Sequence, residues 1–398
     1  MAIRTLDDLT VSGTSLGVRV DINSPLDGAT LADDSRLRAH ESTLSELLDR
    51  GGRVAVLAHQ GRPGGTEFES LEAHTSRLDE LLDAPVEYTD ATCSSQARAA
   101  VDGLEDGEAI VLENTRFYSE EYMEFEPERA ARTHLVSRLT PHFDAYVNDA
   151  FAAAHRSQPS LVGFPTVLPA YAGRVMEREI EVLGAIHETP TPRAYVVGGA
   201  KVPDSIGVIE HGLEEGLADQ VLTTGLVANV FLLAAGVELG PESEAVIRER
   251  GHWGEIERAG NLLDTYGERI HLPVDVALLQ GGERVEIPVE DLPANGAGPA
   301  KDIGRETVRT YRSVLDDVET VILNGPAGVF EEEVFAVGTE ELFRVAATSG
   351  YSVVGGGETG AAVRRLGIEG FDHVSTGGGA ALRMLTNGEL PAIEALRQ

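Results

Sequence analysis

Cysteine is nearly absent from this chain: Cys93 is the single thiol among 398 residues. One thiol excludes an intramolecular disulfide and any zinc site built on several thiolates. Lysine is almost as scarce, since only Lys201 and Lys301 occur and the other 30 of the 32 basic residues are arginine. Long apolar runs are missing as well. The longest, 226–237, contains Asn229 and falls well short of the ~20 residues that a membrane-crossing helix needs. The opening MAIRTLDDL puts acids where a signal peptide has its apolar core, so a soluble, cytoplasmic protein is expected.

Positive charge is the largest deficit. With 66 acidic against 32 basic residues the net charge is −34, a field that repels nucleic acid and anionic lipid. Such an acidic, lysine-poor surface suits concentrated salt, where the Debye length is only ~3 Å at 1 M and self-repulsion is screened. The remaining composition is ordinary: 42% hydrophobic and 25% charged residues describe a globular chain, and its length favours two domains.

No fixed-period repeat or low-complexity tract occurs. Instead, short β-branched runs end in Gly, Asn or charged residues ahead of helical patterns, which predicts a parallel α/β sheet. The first half has such runs at 17–23, 53–59, 108–114 and 144–151, the second at 193–199, 218–225, 318–325 and 351–357. Between the halves, Pro165 and Pro169 and then Pro190 and Pro192 bracket YAGRVMEREIEVLGAIHE, whose Tyr171, Val175, Val182, Leu183 and Ile186 form a helical stripe. That segment reads as one helix joining two domains.

Ligands of parallel sheets bind beyond the carboxyl ends of the strands. There the first half places Asp21 and Asn23, then His59 with Arg62, then Arg116, then His155 and Arg156, while Arg36 in ADDSRLRA can join them. Guanidinium groups gathered at strand ends in so acidic a chain point to a bound phosphate or carboxylate. The second half puts glycine in the same places: Gly198 and Gly199 before Lys201, then Gly225, then Asn324 with Gly325 and Gly328, then Gly355 to Gly357. Glycine lets backbone N–H groups approach a phosphate, and the helix that follows GGGET adds its positive end. A nucleotide site is expected here. GGAKV lacks the spacing and hydroxyl of a Walker loop. GGGETG does satisfy GxGxxG, with Asp372 roughly where a ribose-binding acid belongs, so an NAD-dependent dehydrogenase is an alternative. A non-catalytic two-domain anion-binding protein is another.

VRVDINSP (18–25), DDSR (33–36), AHQGRP (58–63), LENTRF (112–117), NDAFAAAHR (148–156), GGAKV (198–202), NGPAGVFE (324–331), GGGET (355–359) and STGGGA (375–380) together resemble the phosphoglycerate kinase family over nearly the whole chain. The resemblance implies an α/β fold of two doubly wound parallel-sheet domains, each a three-layer αβα sandwich, joined by a linker helix. Residues 1–170 would bind 3-phosphoglycerate, 171–190 would form the linker, and 191–384 would bind nucleotide, with 385–398 returning to the first domain. It implies a magnesium-dependent phosphotransferase of glycolysis and gluconeogenesis, acting between 1,3-bisphosphoglycerate and ADP, with a carboxyl group as acceptor in the reverse direction. Asp21, Asn23, Arg36, His59, Arg62, Arg116 and Arg156 would hold the phosphoglycerate. Lys201, Asn324, Gly356, Gly357 and Thr359 would meet the nucleotide phosphates, Glu331 the ribose, and Gly225 would border the adenine. Arg36 and Lys201 would flank the moving phosphoryl, with Gly356 and Gly357 completing the catalytic set.

Three departures from the family pattern stand out. Ser205 replaces the second lysine of GGAKVxDK, which resembles the archaeal branch. Glu358 replaces the aspartate of GGGDT, so magnesium would be held directly or through water. Gln60 replaces the leucine of HLGRP, and no consequence is expected. Lys301 is expected to belong to no phosphate loop. The expected partners are small molecules, with no nucleic acid and no membrane, bound to a monomer.

Overall fold

The computed structural model describes residues 2–397; Met1 and Gln398, the last residue of the expected returning segment, lie outside the described residues. The chain divides into two units, Met1–Glu181 with Gly388–Gln398, and Val182–Asn387.

The first unit is built on a six-stranded parallel sheet. Its strands lie in the order Val86–Thr89, Ala109–Leu112, Arg53–Leu57, Ser15–Arg19, Ala145–Asn148 and Ala170–Ala172. The central strands are buried along almost their whole length, which is why they read as continuous apolar runs: a parallel sheet is covered on both faces. Leu16 and Val18 of the central strand join Leu44, Leu47 and Leu48 of the helix Glu41–Asp49 in one core. The returning segment forms the helix Pro391–Leu396, which buries Ala392, Ile393 and Leu396 and sends the Ala392 N–H to the Ala154 carbonyl at 3.2 Å.

The joining helix is shorter than its bracketing prolines suggest. It spans Arg174–Gly184, and the division between units falls within its last turn. Tyr171, expected in the helical stripe, lies in the strand Ala170–Ala172, and Ile186 lies in a separate 3-10 turn. The buried stripe runs instead through Met176, Glu179, Val182 and Leu183. Gly173, just past that strand, has no room for a side chain: a Cβ there would sit 2.2 Å from Asp149 Oδ1.

The second unit carries another six-stranded parallel sheet, ordered Ile270–His271, Gln220–Thr223, Arg193–Val197, Thr320–Asn324, Tyr351–Gly355 and His373–Val374. Its core joins Val196, Val321, Leu323 and Val354 to Tyr311, Leu342 and Phe343. Beside it lies an antiparallel ribbon of Glu283–Pro288, Asp275–Gln280 and Asp302–Ile303. The ribbon's hairpin turns at Gly281 and Gly282, both with positive φ, as a two-residue turn between twisted strands requires. Among the described residues no helix is long and apolar enough to cross a membrane.

Candidate functional sites

In the first unit the strand order reverses beside the first strand, between Ser15–Arg19 and Ala145–Asn148. A crevice is expected outside the carboxyl ends at such a switch point, and the arginines gather there. Asp21 is buried and accepts a hydrogen bond from Arg36 Nη1 at 2.6 Å. Burial alone would raise its pKa, but Arg36 and Arg19 hold the carboxyl well below the usual range. Asn23 Oδ1 accepts the Gly61 N–H at 2.8 Å, which ties the first strand end to the loop carrying Arg62. Arg116 is buried, donates to the Gly61 carbonyl at 2.5 Å and lies over the Tyr122 ring.

The positive groups of this crevice outnumber their counter-charges. Burial and the neighbouring Arg156, Arg19 and Arg62 push Arg116 down to about 10, and burial with Arg19, Arg62 and Arg36 lowers Arg156 too. Arg116 Nε and Arg156 Nη1 are buried without a hydrogen-bond partner. Orphaned guanidinium donors in mutual repulsion are suited to receive an anion.

His59 is buried, and burial together with Arg19 lowers its pKa strongly. Arg19 Nη2 donates to His59 Nδ1 at 2.9 Å, so the neutral ring carries its proton on Nε2. Arg19 is fully buried and its Nε donates to Ser160 Oγ at 3.0 Å, while Ser160 donates to Glu121 Oε2 at 2.7 Å. Sequence reasoning gave Arg19 no role; its partners lie 40 and 141 residues away, a pairing that no local pattern carries. His40 was missed for the same reason. Its Nδ1 pairs with Asp149 Oδ2 at 2.6 Å and its Nε2 accepts the Asp21 N–H at 3.0 Å.

The second unit's strands run third, second, first, fourth, fifth, sixth across the sheet, and the switch point lies between Arg193–Val197 and Thr320–Asn324. A cradle opens there, lined by Gly198, Gly199, Lys201, Ser205, Asn324, Gly325, Gly356 to Thr359 and Gly378. Lys201, Asn324, Gly356, Gly357, Glu358 and Thr359 of the expected site are therefore together. Gly225 stands behind them, its N–H bonded to the Ala327 carbonyl at 3.0 Å. Glu331 lies outside the cradle, exposed on the same loop as Asn324.

Glycine is demanded here by proximity. A Cβ on Gly325 would lie 2.2 Å from the Gly198 carbonyl oxygen and one on Gly225 2.8 Å from the Gly199 nitrogen, and both residues have positive φ. Only glycine permits this approach without strain. Thr359 Oγ1 accepts the Gly325 N–H at 2.7 Å, leaving its own hydroxyl proton for a ligand. Gly356 caps the helix Gly357–Arg365, whose free N–H groups face the cradle as an anion site. Lys201 Nζ lies 3.2 Å from Glu358 Oε1, both about half-exposed.

Ser205 brings no charge to replace a lysine; it is buried and its Oγ donates to the Gly198 carbonyl at 3.2 Å. Lys201 is the only cation lining the cradle among the described residues. Lys301 is not among the residues lining the cradle, but its N–H and C=O join the ribbon to the 324–332 loop, and its Nζ pairs with Glu332 at 2.6 Å. Asp302 packs beside the same loop, 2.4 Å from where a Cβ on Gly328 would lie. This carboxylate accepts the Gly338 N–H at 2.8 Å and Arg284 Nη2 at 3.2 Å, while Thr339 Oγ1 accepts the Ala327 and Gly328 N–H groups at 3.0 Å each. The dehydrogenase alternative fails on position. Asp372 bonds the Ser352 N–H at the start of Tyr351–Gly355, the opposite end of that strand from Gly356.

The family model for phosphoglycerate kinase matches residues 6–388. Curated phosphoglycerate kinases from Natronomonas pharaonis and Halobacterium salinarum are each 63% identical over 398 residues, covering 100% of both chains, and the salt-suited composition fits these relatives. One from Methanothermobacter thermautotrophicus is 48% identical, covering 99% of this chain and 97% of its own. Among solved structures, phosphoglycerate kinase from Pyrococcus horikoshii superposes with a TM-score of 0.94 at 40% identity, covering 99% and 98% of the two chains. That from Coxiella burnetii gives 0.77 at 31% identity, covering 99% of each.

Proposed function

The chain belongs to the phosphoglycerate kinase family, and from that premise we propose how its two units share the transfer of a phosphoryl group between 1,3-bisphosphoglycerate and ADP. The acyl phosphate binds in the first unit and the nucleotide in the second. The observation that carries this division is the pair of orphaned guanidinium donors, Arg116 Nε and Arg156 Nη1, beside a single engaged carboxylate. A phosphoglycerate supplies a counter-charge: Arg62, Arg116 and Arg156 take its phosphate and carboxyl oxygens, Asn23 adds a neutral donor, and His59 offers Nε2–H without bringing a further charge. Arg36 is more exposed than its partner Asp21 and is free to turn toward the transferring group.

In the second unit Gly356, Gly357 and Thr359 hold nucleotide phosphate through backbone and hydroxyl donors, with Asn324 beside them; Gly225 would border the adenine, and Glu331, exposed beyond the cradle, would reach the ribose. Lys201 exchanges Glu358 for the phosphoryl in flight, so its ammonium follows the charge. No general base is required, because the attacking ADP oxygen is already ionised. Transfer needs in-line placement, neutralised oxygens and exclusion of water.

The cradle offers one carboxylate, Glu358, and among the described residues no three His, Cys, Asp or Glu side chains form a metal cage. This suits magnesium that arrives with the nucleotide, since that ion keeps several waters and binds through one or two carboxylates plus phosphates. When bound it neutralises phosphate charge, and Glu358 would hold it directly or through water. Both substrates are small and diffusible, which fits a monomer working in the cytoplasm.

Calorimetric titration tests the division. Arg116→Ala should weaken 3-phosphoglycerate binding by ~1.5–3 kcal/mol and leave ADP binding unchanged. Equal loss of both ligands would overturn the assignment.

A further inference from the structure

The leucine-to-glutamine departure at position 60 is not silent. Gln60 is fully buried, and both ends of its amide are engaged. Its Nε2 donates to the Ser24 carbonyl at 2.8 Å while its Oε1 accepts the Ser24 N–H at 3.0 Å. This two-way pairing with one backbone residue fixes which end of the amide is oxygen. His74 Nε2, 3.1 Å from the same Oε1, must therefore be the donor. Burial pushes His74 down to about 4, so the ring is neutral and can hold that tautomer throughout the working pH range.

The backbone of Gln60 is held as firmly as its side chain. Its N–H donates to Asn114 Oδ1 at 3.2 Å and its carbonyl accepts Asn114 Nδ2 at 2.8 Å. Asn114 Oδ1 also accepts the Arg116 N–H at 3.0 Å. One residue thus ties three strand ends together: the segment with Asp21 and Asn23, the loop with His59 and Arg62, and the turn with Arg116.

We propose that Gln60 is a positioning residue for the phosphoglycerate, setting the spacing of Asn23 and Arg116 through its amide clamp on Ser24 and its backbone pairing with Asn114. The inference rests on the assignment of phosphoglycerate to the first unit. Gln60→Leu keeps the volume and removes the clamp, leaving the Ser24 N–H, the Ser24 carbonyl and the His74 Nε2–H without partners. A misplacement of this kind costs between about tenfold and a hundredfold in rate.

Gln60→Leu, and Gln60→Met should the first variant fail to fold, are compared with the unaltered enzyme at molar KCl. The expected result is a ten- to hundredfold fall in kcat/KM for 3-phosphoglycerate, an unchanged KM for ATP, and faster hydrogen exchange at the Ser24 amide. Exchange that rises while kcat/KM stays at the unaltered value would overturn the proposal, as would an equal loss toward both substrates. Arg116→Ala, run alongside, separates the two levels of argument. If it loses 3-phosphoglycerate binding while the Gln60 variants keep it, only this inference falls; if it too keeps that binding, the substrate assignment falls and takes this inference with it.

Discussion

Where the first unit gathers arginine, the second gathers glycine. Each reverses its strand order beside its central strands and opens a site at that point, yet the donors differ in kind. Guanidinium groups bring full charges that must be buried and held apart, and the strain is visible in Arg116, pushed down to about 10 by burial and its own neighbours. Backbone N–H groups carry no net charge, never titrate and need only an unobstructed approach. The first solution asks for a braced network, Glu121, Ser160, Arg19 and His59 in series. The second asks for the absence of side chains, with four glycines of its loops, Gly199, Gly225, Gly325 and Gly356, at positive φ. Recognition by side chains is therefore sensitive to what stands behind the site, and recognition by backbone to what is inserted into it.

The single ammonium in the glycine cradle is the place where that contrast should be sharpest. Lys201→Ala should lower kcat by roughly 10²- to 10³-fold, as for loss of one preorganised donor. Lys201→Arg should remain impaired, because a planar fork does not replace a compact point charge. Steady-state kinetics at high salt measures both. A near-native kcat in the arginine variant would erase the distinction, since charge alone would then suffice.

A smaller effect tests the backbone side of the comparison. Gly325→Ala inserts a Cβ at a φ of +90° and 2.2 Å from the Gly198 oxygen, a strain of about 1–3 kcal/mol. ADP binding should weaken by calorimetry while 3-phosphoglycerate binding survives, the mirror image of Arg116→Ala. Loss of both would mean that the two sites are not separable.

Smallest is a difference in how the units respond to pH. Burial raises Asp302 to about 7 despite its bonds from the Gly338 N–H and Arg284, whereas an unfolded aspartate titrates near ~4. Between those values the folded protein keeps a proton that the unfolded chain has released. Stability therefore falls as pH rises through this window, with the loss complete above about 7. Asp21 runs the other way: its pKa is depressed, so its contribution is present above ~4 and lost only as acid protonates it. Buried His59 and His74 pull the other way below ~6.5, so the Asp302 contribution is read by difference: from about pH 5 to 8 the melting temperature of the unaltered protein should fall relative to that of Asp302→Asn. A difference between the two that does not change with pH would remove Asp302 from the pH dependence.

The eight runs read from the sequence each hold a strand of one of the two parallel sheets, because each is a buried, β-branched stretch; the four-residue edge strand Val86–Thr89, only half buried, was not read. The edge strands Ala170–Ala172, Ile270–His271 and His373–Val374 were not read either, since two or three residues carry no periodicity. The ribbon was within reach: Gly281-Gly282 between alternating residues is a hairpin signal. Strand-end arginines and glycines were visible because position alone marks them. What escaped were the groups behind them, Arg19, His40, Asp302 and Gln60, whose partners are distant in sequence and whose importance lies in geometry. Gln60 is the clearest case, for substituting an amide for leucine says nothing until the Ser24 backbone is seen beside it.

The division of the chain also orders events in time. Residues 182–387 form the second unit without interruption, whereas the first needs the helix Pro391–Leu396 against Ala154. A ribosome therefore makes the first unit in two portions, and its closing helix follows only after every residue of the second unit. The first unit's core must stay one piece short while the second is being made.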